Sequence, residues 1–459
     1  MSLLSLPLKA DYTCIGLGRN MDHPQKEGGK SPIEIPDSWR CGHVLVTGST
    51  RSGKSRLAEN LIEQDIRKGY SLLIIDPKID QQLSNKVIQV ACSTSRQDDL
   101  MFITPLFPEL SSTLNPLSHW FTSEEIVAHV ISGLEQTKEP FFRHVAKNIT
   151  SSVIEGLNLL AQFQGKSRAN FTFQMIADYS TRQGLQGLLA ELSYLTVSPS
   201  VEKLIKQIEQ TLATGDEYFG KTSMSLQNVL NDLTNGNVGH LLSQGFENKF
   251  LNRMEKDKGV ILVCQTGNLV IGEAAQTLAK VILSMTLKYV GRVMASARKK
   301  MIIPLCVHLD EAQSLLFPGF DEAYSKVGAS NTWITSYIQD SAQVRAKMGP
   351  DTAQAILANH NTKIFLRTPD NMSAEFISGH FGTHKVASPI FSHGAITTRE
   401  IEELIVKPFD LMSLQQRDFY MITYSSEFSR RGRYCGRTYD NSLTWMDIKY
   451  PSTPSTQIG

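Results

Sequence analysis

The sequence has few cysteines and no long apolar run. Its six cysteines stand far apart, and no two of them form a CxxC pair. This usage excludes a disulfide scaffold and is typical of reduced cysteines in a cytosolic setting. No apolar stretch approaches the roughly 20 residues that span a bilayer, and the first residues do not have the pattern of a signal peptide. We therefore expect a soluble polypeptide.

An excess of charge of one sign is also missing. The chain has 46 lysines and arginines against 45 acidic residues, for a formal net charge of +1. A global basic field is thereby excluded, so any contact with nucleic acid must come from local patches. The 459 residues are enough to bury a large core, and they predict two or three domains or one domain with a sizeable insertion.

The strongest chemical signal lies in residues 44–80. An apolar strand leads into GSTRSGKS at 48–55, a complete GxxxxGK[ST] phosphate-binding loop (P-loop). In such a loop, backbone N–H groups surround phosphate oxygens, which a Cβ at either glycine would obstruct. Apolar residues at helical spacing predict a helix over 55–68 whose N-terminus points at the anion. The predicted nucleotide-binding residues are Gly48, Ser49, Thr50, Arg51, Ser52, Gly53, Lys54 and Ser55.

An apolar run at 302–309 predicts a strand that delivers Asp310 and Glu311 at its carboxyl end, which is the Walker B pattern. Ligands of open α/β sheets bind at the carboxyl ends of strands, where the P-loop also lies. Asp310 is therefore predicted to hold Mg²⁺ together with Ser55. Glu311 is predicted to activate the attacking water, and Lys54 to stabilise the β- and γ-phosphates. The pattern indicates an ATPase that uses ATP and Mg²⁺.

A further predicted strand, at 332–338, ends at Gln339. In RecA-like ATPases, a polar residue at the end of the strand beside the Walker B strand senses the γ-phosphate through a hydrogen bond. Gln339 is therefore the third predicted catalytic residue, after Lys54 and Glu311. The alternative is an ordinary glutamine at the end of a strand.

Strand and helix patterns divide the chain into four parts. Residues 1–40 read as an irregular lead-in. Residues 41–119 and 246–459 carry the two parts of an α/β, RecA-like P-loop domain with a doubly wound, mostly parallel sheet. In residues 120–245 strand-like runs nearly vanish, and helical periodicity predicts an inserted all-α domain. That insertion either stabilises the core or grips DNA or a partner.

A cluster of arginines near the end of the chain is a candidate basic patch. Arg430, Arg431, Arg433 and Arg437 lie between two tyrosines. They either contact phosphates or are solvated charges of a hairpin.

The order of these motifs resembles the type IV secretion coupling proteins, the TraD/TraG-type conjugative ATPases of the FtsK/HerA superfamily. Residues 42–82 and 300–440 carry the resemblance. The run at 43–69 is similar to the HxLVxGxTRxGKxRLAExLIxQDIxxG segment of TraD-like proteins from integrative elements and genomic islands. The family's nucleotide residues correspond to Gly48, Gly53, Lys54, Ser55, Asp310, Glu311 and Gln339.

The resemblance implies a homo-hexameric ring that hydrolyses ATP to pump DNA. The substrate would be a relaxase-bound single strand, or duplex DNA, delivered to a type IV secretion channel. Relaxosome proteins and channel components would be partners, at the cytoplasmic face of the bacterial inner membrane. Two alternatives stay open: a secretion ATPase that acts on proteins, and an ATP-gated docking platform that does not translocate its substrate.

The sequence departs from the family's pattern in three places. Transmembrane helices commonly precede the ATPase in the family, whereas this chain shows none. Either it is a soluble fragment that lacks its anchor, or this member works without an anchor of its own and a partner supplies one. The Asp76-Pro77-Lys78 motif is followed by isoleucine where the family has glycine. No arginine lies at 325–331, where relatives place an arginine finger. The candidates for a trans-acting cation are Lys326, Arg345 and Arg367.

Overall fold

A computed structural model describes residues 11–22, 30–134, 140–196, 198–243, 247–317, 319–392, 395–424, 432–440 and 444–449. Its strands are β1 (Tyr12–Asn20), β2 (Ser31–Pro36), β3 (Val44–Thr47), β4 (Ser71–Asp76), β5 (Leu100–Ile103), β6 (Ile261–Gln265), β7 (Leu305–Leu309), β8 (Thr332–Ile338), β9 (Thr362–Phe365), β10 (Thr383–Ser392), β11 (Ala395–Leu404), β12 (Asp418–Thr423) and β13 (Gly432–Thr438). The α-helices are α1 (Lys54–Arg67), α2 (Gln81–Ser93), α3 (Ser123–Ser132), α4 (Pro140–Phe163), α5 (Phe173–Tyr179), α6 (Arg182–Ser193), α7 (Pro199–Leu212), α8 (Asp216–Thr234), α9 (Gly236–Ser243), α10 (Lys249–Glu255), α11 (Asn268–Ile271), α12 (Glu273–Ala295), α13 (Phe320–Lys326), α14 (Ser341–Met348), α15 (Pro350–Ala358), α16 (Asn371–Phe381) and α17 (Pro408–Met412).

One large sheet organises the described residues. Its eleven strands follow the order β2-β1-β13-β12-β9-β3-β8-β7-β4-β6-β5. The strands from β9 to β5 run parallel, and the other four extend the sheet with antiparallel pairs. Every residue of β3, β4, β6 and β7 is buried, as expected for parallel strands that are covered on both faces. The predicted α/β fold with a mostly parallel sheet is confirmed.

The lead-in was predicted to be irregular, and that prediction is wrong for its described residues. They form β1 and β2, which pair with each other, and β1 also pairs with β13. Gly16 and Gly18 weaken the strand signal of β1 in the sequence. The sheet requires them, because a Cβ on Gly16 would lie 2.3 Å from the carbonyl oxygen of Arg437, and one on Gly18 would lie 2.1 Å from that of Cys435.

Helices α3 to α10 separate β5 from β6, and the described residues of this segment form no strand. Helices α3 and α8 pack on α12, the helix that follows β6. Apolar side chains of the insertion, such as Ile126 and Leu230, belong to the same buried cluster as Leu278 of α12. The insertion therefore shares one core with the sheet domain, while its predicted boundaries at 120 and 245 stay a prediction. None of the described helices is both long and apolar enough to cross a membrane.

A buried charge network joins the lead-in to helix α1. Arg40, in the short 3₁₀ helix Asp37–Gly42, donates to Asp65 of α1 at 2.8 Å, and Asp65 also bonds to Nε2 of His308 on β7 at 2.9 Å. The side chains of Arg40 and Asp65 are 2% and 0% exposed. Burial alone would raise the pKa of Asp65, but the charge of Arg40 and hydrogen bonds from Arg40 and His308 hold it well below its ordinary value. Asp65 is therefore a buried carboxylate that depends on its cation.

Replacing Arg40 should destabilise the protein strongly. Arg40→Met leaves the Asp65 carboxylate buried without its cation, and we expect it to lower the free energy of unfolding by about 3–5 kcal/mol. The control is Arg67→Met, which removes a pair with Glu63 in which the arginine is 27% exposed. That change should cost about 1 kcal/mol or less. Chemical denaturation followed by circular dichroism measures both, and equal losses would contradict the assignment.

Candidate nucleotide-binding site

The P-loop connects the end of β3 to the start of α1 and rests against the ends of both neighbouring strands. The amide of Gly48 donates to the carbonyl of Ile338 at 3.3 Å, and the amide of Ser49 donates to the carbonyl of Arg367 at 2.9 Å. A Cβ on Gly48 would lie 2.7 Å from the Cβ of Leu366. Glycine is therefore required at position 48 by the close approach of the chain after β9.

The other side of the loop contacts Arg417, a residue that carries no sequence signal. Gly53 has a φ of 112°, which favours glycine, and a Cβ there would lie 3.1 Å from the backbone nitrogen of Arg417. The Arg417 amide donates to the carbonyl of Ser52 at 2.8 Å. Its guanidinium pairs with Asp440 at 2.8 Å. Arg417 thus braces the loop through its backbone, just before β12.

Lys54 begins α1 and folds back over its own loop. Its Nζ donates to the carbonyls of Gly48 and Ser49, the latter at 3.0 Å. Burial lowers the pKa of Lys54 to about 8, although the nearby charge of Asp310 opposes the shift. Lys54, Ser55 and Asp310 line one cavity, and Asp76 and His308 also line it. The predicted phosphate lysine and the predicted metal ligands therefore share a pocket.

Asp310 and Glu311 follow the last residue of β7, and Gln339 follows the last residue of β8. The Nε2 of Gln339 donates to Oε1 of Glu311 at 3.2 Å. Glu311 has a φ of 47°, a left-handed conformation that costs energy for a residue with a Cβ. Such strain at a strand end, next to a P-loop, is typical of functional sites. The structure thus brings these three predicted residues to the edge of the sheet that carries the P-loop, and their roles stay predictions.

Lys78, in the turn after β4, belongs to the same group of side chains. Its Nζ lies 3.1 Å from Oδ2 of Asp310 and 3.0 Å from Oε1 of Glu311. The sequence analysis noted Lys78 only as part of a motif and assigned it no role. Its contacts join strands that are far apart in the chain, so spacing could not reveal them.

The turn that carries Lys78 is held by Asp76, which is 1% exposed. One oxygen of Asp76 accepts from the Lys78 amide at 2.9 Å, and the other accepts from the Asp80 amide at 2.5 Å. The second oxygen also accepts from Nε2 of Gln265 at 2.9 Å. Burial raises the pKa of Asp76, while these hydrogen bonds oppose the shift. The backbone of the turn is therefore fixed, although Ile79 within it has a φ of 58°.

The three candidates for a trans-acting cation lie in different places. Lys326 is at the end of α13 and pairs with Glu322 at 2.8 Å. The guanidinium of Arg345, on α14, lies 5.8 Å from the ring centre of Phe376. Arg367 contacts the P-loop through its carbonyl group. The described contacts therefore favour no assignment among the three.

In the arginine cluster near the end of the chain, the two arginines that the structure describes both form ion pairs. Arg433 pairs with Asp22 at 2.5 Å, and Arg437 pairs with Asp418 at 3.0 Å. Arg430 and Arg431 lie outside the described residues. The two described members therefore stabilise the antiparallel edge of the sheet.

The fold and this site define a RecA-like P-loop protein, in which β8 separates the P-loop strand from the Walker B strand. Residues 304–416 match the family model described as the TraM recognition site of TraD and TraG. The type 4 coupling protein DotL of Legionella pneumophila is 26% identical over 160 residues, which cover 32% of this chain and 20% of that protein. The predicted resemblance to coupling proteins of the TraD/TraG type is confirmed, and the match spans about a fifth of that relative's length.

Solved structures of the coupling protein TrwB share the fold. The unbound form of the bacterial conjugative coupling protein TrwBdeltaN70 has a TM-score of 0.65 and 15% identity, with 97% of each chain covered. TrwB in complex with ADP and Mg²⁺ has a TM-score of 0.62 and 14% identity, with 93% of this chain and 90% of that chain covered. TrwB has also been solved with a non-hydrolysable ATP analogue, at a TM-score of 0.64 and 14% identity over 97% and 99% of the two chains. The predicted RecA-like α/β fold is thereby confirmed, and the similarity, helical segment included, covers nearly the whole chain.

Removing the Asp76 carboxylate should loosen the turn that carries Lys78. Asp76→Ala leaves the amides of Lys78 and Asp80 without their buried acceptor, which should cost about 1–3 kcal/mol for each unsatisfied donor. Hydrogen–deuterium exchange should show faster exchange in residues 77–81. The control is Asp370→Ala, which removes the N-terminal cap of α16 and should speed exchange only there. Unchanged protection at 77–81 would contradict this role of Asp76.

Proposed function

We propose that this chain is an ATPase that moves DNA towards a type IV secretion channel during conjugative transfer. The observation that carries the proposal is the convergence of the P-loop, Asp310, Glu311 and Gln339 at one edge of the sheet, on a chain whose residues 304–416 match the TraD and TraG model. Structures of TrwB with an ATP analogue and with ADP and Mg²⁺ support ATP and Mg²⁺ as the cofactors.

The residues of the pocket suit a magnesium nucleotide. The P-loop has no room for a Cβ at position 48, and its backbone at position 53 has a positive φ that favours glycine. Ser55 and Asp310 line one cavity, and their hydroxyl and carboxylate oxygens are of the kind that Mg²⁺ prefers and would be its ligands here. When bound, Mg²⁺ would offset charge on the β- and γ-phosphates. Lys54 adds a second positive charge beside them.

Glu311 is the proposed general base. Its carboxylate takes the proton of the attacking water and so prepares that water for in-line attack. The Nε2 of Gln339 donates a hydrogen bond to Oε1 of this carboxylate at 3.2 Å. A change at the end of β8 would therefore reach Glu311 directly, which supports the proposed γ-phosphate sensor role of Gln339.

Delivery of DNA is the finer part of the proposal. The active form would be a homo-hexameric ring at the cytoplasmic face of the inner membrane, in which heterologous interfaces let each subunit complete its neighbour's site. Relaxosome proteins and channel components would be the partners, and relaxase-bound single-stranded DNA would be the substrate. The match to a region described as a TraM recognition site supports partners of this kind.

Substitutions of Lys54 and Glu311 should separate nucleotide binding from turnover. Lys54→Ala should weaken both, whereas Glu311→Gln should still bind ATP while turnover falls roughly 100-fold or more, because it removes the base and keeps the side chain's size. Phosphate release and the binding of a fluorescent ATP analogue measure the two properties. The control is Glu217→Gln, a change at an exposed residue on α8 that should match the unmodified protein. Turnover close to normal in both pocket variants would exclude the assignment.

A DNA substrate should stimulate the ATPase and bind with a steep dependence on salt. If a single strand makes about six phosphate contacts, its affinity should fall roughly 100-fold or more between 50 and 200 mM salt, because bound phosphates release counterions. Fluorescence anisotropy of a labelled oligonucleotide measures this fall. Glu311→Gln is the control, since it should bind DNA with the same salt dependence and show no stimulated turnover. A flat salt response without stimulation would favour a protein substrate.

A further inference from the structure

Lys78 places a positive charge between the two carboxylates that the proposed function assigns to Mg²⁺ binding and to proton abstraction. The two contacts, 3.1 Å to Asp310 and 3.0 Å to Glu311, make it a bridge across the ends of β4 and β7. Asp310 and Glu311 are adjacent in the chain and 26% exposed, so their mutual repulsion is only partly screened by water. A cation at this point is attracted to both carboxylates and offsets part of their mutual repulsion.

We propose that Lys78 is a built-in competitor of Mg²⁺: its single positive charge offsets part of the negative charge of Asp310 and Glu311 before nucleotide binds, and the magnesium nucleotide must displace its ammonium group to reach Asp310. The inference rests on the proposed function, because it takes Asp310 as the metal ligand. In this role Lys78 is a positioning residue, which acts through the two carboxylates.

The geometry permits such an exchange without movement of the backbone. The turn is fixed by the hydrogen bonds of Asp76 to the amides of Lys78 and Asp80. The Lys78 side chain is 46% exposed, so its flexible stem has room to leave the carboxylates. Only the Lys78 side chain has to move, and the backbone of the turn can stay in place.

Displacement of Lys78 would also change the hydrogen bonding of Glu311. The Oε1 atom of Glu311 accepts both from Lys78 and from Nε2 of Gln339, the latter at 3.2 Å. When the lysine leaves, the glutamine is the remaining described partner of that oxygen. Binding of the magnesium nucleotide would thereby remove the lysine contact of Glu311 and leave its hydrogen bond from Gln339 in place.

The test compares nucleotide binding with and without Mg²⁺. Lys78→Met removes the charge and keeps most of the side chain's volume. Without Mg²⁺ the variant should bind a fluorescent ADP analogue more weakly, because two unneutralised carboxylates then face the phosphates. The Mg²⁺ concentration at half-saturation should fall. Together these changes should raise the coupling between Mg²⁺ and nucleotide by roughly fivefold or more, the low end for linked ligands.

Two further variants make the result specific. Lys78→Arg keeps the positive charge and should restore a coupling close to that of the unmodified protein. Lys256→Met changes an exposed lysine after α10 and should leave the coupling unchanged. Thermal unfolding of each variant checks that the fold is retained.

The outcomes separate this inference from the proposed function. If the unmodified protein binds no nucleotide, the proposed function fails. If it binds nucleotide and Lys78→Met leaves the Mg²⁺ coupling unchanged, the competitor role is overturned while the ATPase assignment stands. An equal loss of affinity with and without Mg²⁺ would also overturn it, because it would show that Lys78 contacts only the phosphates.

Discussion

The buried hydrogen bonds of Asp65 are the constraint on which the site depends. Asp65 lies on the P-loop helix and contacts His308, a residue of β7 that precedes Asp310 by two positions. The other ring nitrogen of His308 lies 3.1 Å from the hydroxyl of Tyr337, a residue of β8 that precedes Gln339 by two positions. One carboxylate therefore ties together the three elements that carry the phosphate loop, the acidic pair and the glutamine. Arg40 keeps that carboxylate ionised inside the core.

Two lysines hold positive charge close to the P-loop and the acidic pair in the unliganded protein. Lys54 rests on carbonyl groups of the P-loop, and Lys78 rests on the carboxylates of Asp310 and Glu311. Neither ammonium group has to be gathered from solvent when an anionic ligand enters. In the proposed function, binding would be an exchange of partners, and such preorganisation would lower the cost of assembling the site.

The sequence predicted the features that depend on residues close together in the chain, and it did not predict contacts between residues far apart in the chain. The strand pattern at 332–338 predicted β8 at its observed bounds, because a fully buried parallel strand leaves a strong local signal. The P-loop and the acidic pair were predicted as motifs, since their chemistry depends on residues adjacent in the chain. Strand β1 was missed because the glycines that its neighbour requires weaken the strand signal. The contacts of Lys78 and Arg417 were missed for another reason: each meets residues brought close only by the folded sheet.

The pairing of β1 with β13 has a consequence for folding during synthesis. Gly16 pairs with Thr438, so this edge of the sheet cannot close until the ribosome has released nearly the whole described chain. Strand β1 also covers the P-loop helix, because the amide and the carbonyl of Cys14 bond to the side chain of Gln64 at 2.8 and 2.9 Å. Contacts between such distant segments form slowly. A nascent chain therefore carries an incompletely covered helix α1 until late, and in that interval chaperones would have their main opportunity to bind it.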